Sequence, residues 1–463
     1  MNAPLTNVQT RDVEALLHPY TPIHRLREMG PLVIERGKGV YVYDTQGKAY
    51  IEGMAGLWCT GLGYGDEELI EAATEQLRTL SYSHLFGAKS MEPSIELAEK
   101  LKEIAPVPMS KVFFTSSGSE ANDTQVKLAW YMNNALGRPN KKKIISRQKA
   151  YHGVTIMAAS LTGLPYNHMG FDLPVDRVIH TDCPHYWRFG QEGESEAEFT
   201  ARIVKSLRDL IEREGPDTIA AMIAEPVMGA GGVIVPPAGY FAAVKEVLDE
   251  HDIILIDDEV INGFGRTGNW WGCQTHGMVP TTISVAKQLT SAYVPLGAVM
   301  VPEDVYQAYV DHSRQIGTFG HGFTYGGHPL GCAVGAKAIE IYQKRDIVGK
   351  VRAISPLFAR RLDAFRDHPL VGEVRYSGLV GGVELVADPK TKRSFDGKKG
   401  VGAALARFAE NHGAIVRAIG DTIAFCPPMI ITEDELNELF DRFGKALADT
   451  EAWVHAEGLR AVA

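Results

Sequence analysis

Between residues 111 and 301, seven short apolar runs alternate with longer stretches of helical periodicity, and few folds accept that order. The runs are Lys111 to Thr115, Lys143 to Ser146, Arg177 to His180, Thr218 to Ala224, Asp252 to Asp257, Thr281 to Ala286 and Gly297 to Val301. Helical stretches such as Ser119 to Leu136, Glu196 to Glu214 and Tyr240 to His251 fall between them. Apolar strands joined by crossover helices build a largely parallel sheet covered on both faces. The sequence therefore predicts an α/β protein around a mostly parallel, seven-stranded sheet.

A chain of 463 residues is too long for one compact core. Helical patterns over Asp66 to Leu80 and Glu92 to Ile104 lead into the alternating region. After about residue 330 the order changes. Helices over Leu330 to Lys344 and Gly349 to Asp367 precede strands near Gly372 to Ser377 and Gly382 to Val386; helices over Val401 to Asn411 and Glu433 to Val454 follow. This reads as a smaller α+β domain. Near the start, Gly39 to Tyr43, the turn Asp44-Thr45-Gln46-Gly47 and Lys48 to Ile51 read as a meander that can join it. The expected division is a large domain over 66–329 and a small domain built from both chain ends, 1–65 and 330–463.

The net charge is −10 and the only basic run is Lys141-Lys142-Lys143, which argues against nucleic acid or an anionic membrane as partner. No apolar run reaches transmembrane length. Five scattered cysteines without a C-x-x-C pair argue against a disulfide framework or structural zinc. The first thirty residues lack the apolar stretch of a signal peptide, so the expected location is cytoplasmic. No metal site is expected: H-E-x-x-H is absent, as are G-x-S-x-G and a Walker A loop.

Three segments can carry chemistry. Ser116-Ser117-Gly118-Ser119-Glu120-Ala121-Asn122 follows a strand and opens a helix, where free N–H groups and the helix dipole suit a phosphate. Ser117 and Glu120 also have capping-box spacing, and the two readings are compatible. Ile253 to Val260 is a buried strand ending in Asp257, Asp258 and Glu259. Successive residues face opposite ways, so the first two carboxylates cannot share a task. Holding Mg²⁺ would need a Walker A loop, which the sequence lacks; one of them could keep a pyridine nitrogen protonated, or they could simply open a helix. Lys287 directly follows the Thr281 to Ala286 strand, where burial would favour the neutral amine that Schiff-base chemistry needs.

Together these segments resemble the class III aminotransferases of pyridoxal-phosphate fold type I, over nearly the whole chain. The resemblance rests on Ser117 to Asn122, Tyr151-His152-Gly153, Ala224-Glu225-Pro226, Asp258-Glu259-Val260, Gly263 to Gly268, Ala286-Lys287, Phe323-Thr324-Tyr325 and Gly327-His328-Pro329, in that order. It implies the cofactor pyridoxal 5′-phosphate, held as a Schiff base on Lys287, which then shuttles the proton. It implies Asp258 on the pyridine nitrogen, Tyr151 stacked on the ring, and Gly118 and Ser119 on the phosphate. Thr324 would come from the neighbouring subunit of a homodimer, with pairing into a tetramer left open. Ser117, His152, Glu225, Val260 and Phe323 complete the implied cofactor set. Gln288 after the lysine, where Gly is usual, and Gly326-Gly327-His328 depart from the family pattern.

Within the family the chain looks closest to the ω-amino acid–pyruvate and amine–pyruvate group. Gly53 to Cys59 with Trp58, His18-Pro19-Tyr20, Phe86, Ile261 where GABA- and ornithine-type relatives commonly carry Gln, and Val416-Arg417-Ala418 carry that likeness. Tyr20, Trp58 and Phe86 would wall the substrate pocket, and Arg417 would pair with a carboxylate. Core packing for the aromatics and an ordinary ion pair for Arg417 are the plain alternatives. The implied reaction is ping-pong transfer from an amine donor to a 2-oxo acid such as pyruvate. A decarboxylase or aminomutase on the same fold, or a silent cofactor-binding protein, are the rivals.

Overall fold

The computed structural model describes residues 4–460. Its central sheet has seven strands in the order Lys111–Thr115, Gly297–Val301, Thr282–Val285, Ile254–Asp258, Ile219–Ala224, Lys143–Arg147 and Val178–Thr181. The neighbours from Thr282–Val285 through Val178–Thr181 pair in parallel. Gly297–Val301 runs antiparallel to both of its neighbours. The link that precedes it holds only the short turn Lys287–Thr290, and a parallel return needs a crossover helix.

Helices Gly118–Ala135, Glu196–Glu214 and Tyr240–Asp249 stand where periodicity places them. One helix, Glu303–Ile316, was not legible: its buried stripe is only Val305, Ala308 and Tyr309, too narrow to stand out. That stripe packs with Ala121, Leu128 and Met132 of the Gly118 helix. The helix expected over Gly349 to Asp367 spans Ile347–Asp363, because Asp346 caps its start by accepting from Gly349 N at 3.1 Å.

A second, antiparallel sheet takes the order Val371–Ser377, Val380–Leu385, Thr422–Phe425, Arg417–Ile419. The N-terminal meander Ile34–Lys38, Tyr41–Asp44, Ala49–Glu52 gains a fourth strand, Ala414–Ile415, parallel to Ala49–Glu52. This pairing joins the two ends of the chain. It lays Gly53 to Trp58 beside Val416 to Ala418, with Gly53 N donating to Ile415 O at 2.9 Å and Cys426 N to Gly53 O at 2.7 Å. No helix among the described residues is long and apolar enough to cross a membrane.

Candidate active site

A cavity of about 560 Å³ opens where the Ile254–Asp258 and Thr282–Val285 strands end. Carboxyl ends of parallel strands are where open α/β sheets bind ligands. Lys287, Asp258, Tyr151, Gly118, Ser119 and Val260 stand in its inner wall, with His152 and Glu225 behind; Tyr20, Trp58 and Arg417 form the outer part.

Lys287 sits at φ 46°, a left-handed conformation a lysine rarely adopts, in the turn after its strand. Burial pushes its amine below the ordinary range, against the pull of Cys59, Asp258 and Glu225. Gln288, the residue out of pattern, is buried and donates to Ile261 O at 3.2 Å, tying this turn to the cavity wall.

Asp258 is held on both oxygens. Its Oδ2 accepts from Asn122 Nδ2 and from His152 Nδ1, each at 2.7 Å, and its Oδ1 accepts from Val260 N at 3.1 Å. Asn122 also donates to His152 O at 2.8 Å, so the three side chains form one unit. Asp257 points the other way, fully buried and without a hydrogen-bond partner, and burial followed by Glu259 raises its pKa well above the carboxylate range. Glu259 accepts from Gly272 N and Cys273 N at 3.0 and 2.7 Å and so caps the next helix. Asp258 and Glu259 thus have different tasks, and Asp257 shares neither of them.

The Gly118 helix begins at the cavity. Ser117 is its N-cap, its hydroxyl accepting from Glu120 N at 3.1 Å. Glu120 answers to Ser116 N at 2.6 Å rather than to Ser117 N, so the capping box is incomplete. A Cβ at position 118 would meet Val260 at 3.1 Å, which is why glycine lets the helix start approach the wall. Glu225 accepts from Tyr151 N at 3.0 Å and Gly229 N at 2.9 Å, fixing the backbone under the Tyr151 ring. Burial, then Tyr20, raises the Tyr151 phenol above its ordinary pKa.

Arg417 makes no ion pair and no side-chain hydrogen bond among the described residues, although it faces the cavity. Beyond it and Tyr20, a wider chamber of about 1200 Å³ is lined by Ile156, Tyr166 and Phe171.

Not every expected residue reaches this cavity. Ser117 spends its hydroxyl on the cap. Phe86, Phe323 and Thr324 lie outside the lining, beside the edge strand Lys111–Thr115. Phe86 abuts Gly322, Phe323 packs on Phe113 and His321, and Thr324 O accepts from Tyr82 OH at 2.8 Å. Conversely, the clasp by Asn122 carries no sequence signal of its own beyond its place in the helix motif. Nor do Ala230 and Met54, small and apolar lining residues.

The inner wall fits a pyridoxal phosphate. An amine whose pKa burial lowers, a firmly held carboxylate and a helix N-terminus share one cavity, and buried Asn122 Oδ1 and His152 Nε2 have no partner among the described residues.

The family model "Aminotransferase class-III" matches residues 24–447. Gamma aminobutyrate transaminase 3, chloroplastic, of Solanum lycopersicum is 50% identical over 447 residues, 96% of this chain and 86% of that protein. The omega transaminase from Pseudomonas jessenii in complex with PMP superposes with a TM-score of 0.95 at 51% identity, covering 97% and 99% of the two chains. A thermostable omega transaminase variant, W58M/F86L/R417L, engineered for asymmetric synthesis of enantiopure bulky amines, matches with TM-score 0.95 at 50% identity, covering 97% and 100%.

Proposed function

The chain belongs to the class III aminotransferases, pyridoxal-phosphate enzymes that move an amino group to a 2-oxo acid, and on that premise we propose which residues act and on what. When bound, pyridoxal phosphate supplies the electron sink that makes the C–H beside the donor nitrogen acidic. Gly118 and Ser119 hold its phosphate with backbone N–H groups at the helix start. Asp258, fixed by Asn122 and His152, would offer a carboxylate to the pyridine nitrogen, and Tyr151 and Val260 would hold the ring between them. Lys287 is the attachment point. Its Nζ, whose pKa burial lowers toward the neutral form, takes the proton from the donor's α-carbon and hands one to the carbonyl carbon of the acceptor in the return half.

The observation that carries the substrate reading is the unpaired guanidinium of Arg417 in the wall of the same cavity as Lys287. It suits the carboxylate of pyruvate or of an ω-amino acid, and the apolar chamber outside it leaves room for the tail of a primary amine. Trp58 and Tyr20 wall the donor. Three changes made in the engineered omega transaminase for bulky amines, at 58, 86 and 417, bear the residue types and numbers of Trp58, Phe86 and Arg417 here, which supports assigning all three to the substrate pocket.

Because Phe86, Phe323 and Thr324 gather on an aromatic surface patch with exposed Tyr325, we place them at the cavity of a second copy in a homodimer. Division of the chain at 66 and 329 follows the same reading, with the cavity between the central sheet and the segments from both ends. All five cysteines are free, which fits a reducing compartment.

The test is the absorbance of the cofactor-bound protein with a panel of ω-amino acids and aryl-alkyl amines, first without acceptor and then with pyruvate. Donor-dependent conversion that pyruvate reverses is the expected result. Consumption of many equivalents of donor per site without any acceptor would instead establish a decarboxylase or aminomutase.

A further inference from the structure

The segment that carries Trp58 into the cavity is strained. After the Ala49–Glu52 strand the chain winds through Met54 to Cys59, with Ala55 at φ 47°, Gly56 at φ 65° and ψ −100°, and Trp58 at φ 65°. Side-chain-bearing residues seldom occupy that region, and a bulky aromatic stays there only when its surroundings leave no alternative. Gly53 is clamped to Ile415 and Cys426, and Thr60 N returns to Ala55 O at 2.9 Å, so both ends of the turn are fixed. The stretch between them needs its own anchor.

That anchor is Glu52. It is 4% exposed, its Oε1 accepts from Met54 N at 2.9 Å, and its Oε2 receives the Tyr64 hydroxyl at 3.4 Å. Among the described residues no cation pairs with it, and burial pushes its pKa up to about 7. A buried carboxyl without a counter-ion is unfavourable to retain, and one of its oxygens is spent on this turn and the other on Tyr64. The turn it grips packs Trp58 and Met54 against Val227, Ile261 and Cys426, directly beneath the cavity.

We propose that Glu52 is a positioning residue for donor selection: by holding the Met54 amide, whose carbonyl accepts from Trp58 N at 2.9 Å, it fixes where the Trp58 ring stands, and so sets the size of donor the enzyme accepts. The proposal deepens the reading of Trp58 as the donor wall and rests on it. With Glu52 removed, Trp58 leaves the left-handed conformation, the wall loosens and compact donors lose their alignment, whereas bulky donors gain room.

The experiment compares holoenzymes by kcat and KM for a compact donor, 4-aminobutyrate, and a bulky aryl-alkyl amine, both with pyruvate. Glu52→Ala is expected to raise KM for the compact donor and to shift the ratio of the two kcat/KM values toward the bulky one by roughly 10-fold. Glu52→Gln, which keeps an acceptor for Met54 N–H in nearly the same place, is expected to restore the ratio, which a general loss of packing would not. If Glu52→Ala does not fold, Glu52→Asp carries the test, since it keeps the charge but falls short of that amide. Trp58→Ala is run alongside. An unchanged ratio in the folded Glu52→Ala or Glu52→Asp enzyme, with a shifted one in Trp58→Ala, overturns the role of Glu52 alone. An unchanged ratio in Trp58→Ala overturns both readings.

Discussion

Replacing Arg417 by alanine separates charged substrates from uncharged ones. The guanidinium has no protein partner among the described residues, so its removal strands no buried carboxylate, and the fold should hold. What is lost is a charge-assisted pair with the substrate carboxylate. Hydrogen bonds to charged groups contribute about 1.5–3 kcal/mol, and the half-exposed position of Arg417 argues for the lower part of that range. Taking about 1.5–2.5 kcal/mol, kcat/KM for pyruvate and for an ω-amino acid donor falls roughly 10- to 70-fold. For an uncharged aryl-alkyl amine the same substitution removes nothing in contact, and the donor half-reaction should change by less than about 3-fold. Stopped-flow measurement of the two half-reactions, each with one substrate, reads both numbers directly. An equal fall for pyruvate and for the uncharged amine would refute the assignment and return Arg417 to a merely structural place.

Asp258→Asn keeps the shape of the side chain but removes its charge from between Asn122 and His152; turnover should drop by roughly 10²–10³-fold with thermal stability little changed, and near-normal turnover would show the carboxylate is not needed. Mixing Lys287→Ala chains with Thr324→Asp chains should recover activity that neither has alone, because a mixed dimer rebuilds one intact site; absence of recovery in mixed dimers verified by mass would place Thr324 in its own chain's site or in none. Glu52 and Glu259 both have pKa values raised by burial from 4.5 to about 7. Between those values the folded chain keeps protons that the unfolded chain has lost, so this contribution to stability is present at low pH and disappears as pH rises through about 7. For Glu52 alone the rise corresponds to about 3 kcal/mol. Thermal unfolding of wild type and Glu52→Gln at pH 5 and pH 8 should show the variant gaining on wild type at the higher pH, and a constant difference would contradict it.

Much of this was legible in the sequence for local reasons. A run such as Ile253 to Ile256 is apolar at every position because both faces of its strand are covered, and Lys287 and Asp258 are marked by lying where two such strands end. The start of the Gly118 helix announces itself through Ser117 and Gly118. The antiparallel course of Gly297–Val301 was hidden because strand direction depends on the link and not on the strand's composition. Ala414–Ile415 escaped notice because two residues carry no period.

What the amino-acid order determined by itself is the inventory: seven strands, the helices between them, and the chemical groups at the strand ends. Those signals are local, since a period of two or 3.6 residues is written within one element. Tertiary structure alone decided the partnerships. Asp258 is clasped by side chains 106 and 136 residues away, and the two-residue strand at 414 lays Arg417 beside Trp58. Phe86, expected from the sequence as a pocket aromatic, stands outside the cavity of this chain. Such contacts leave no periodic trace, because they depend on how finished elements pack and not on how any one of them forms.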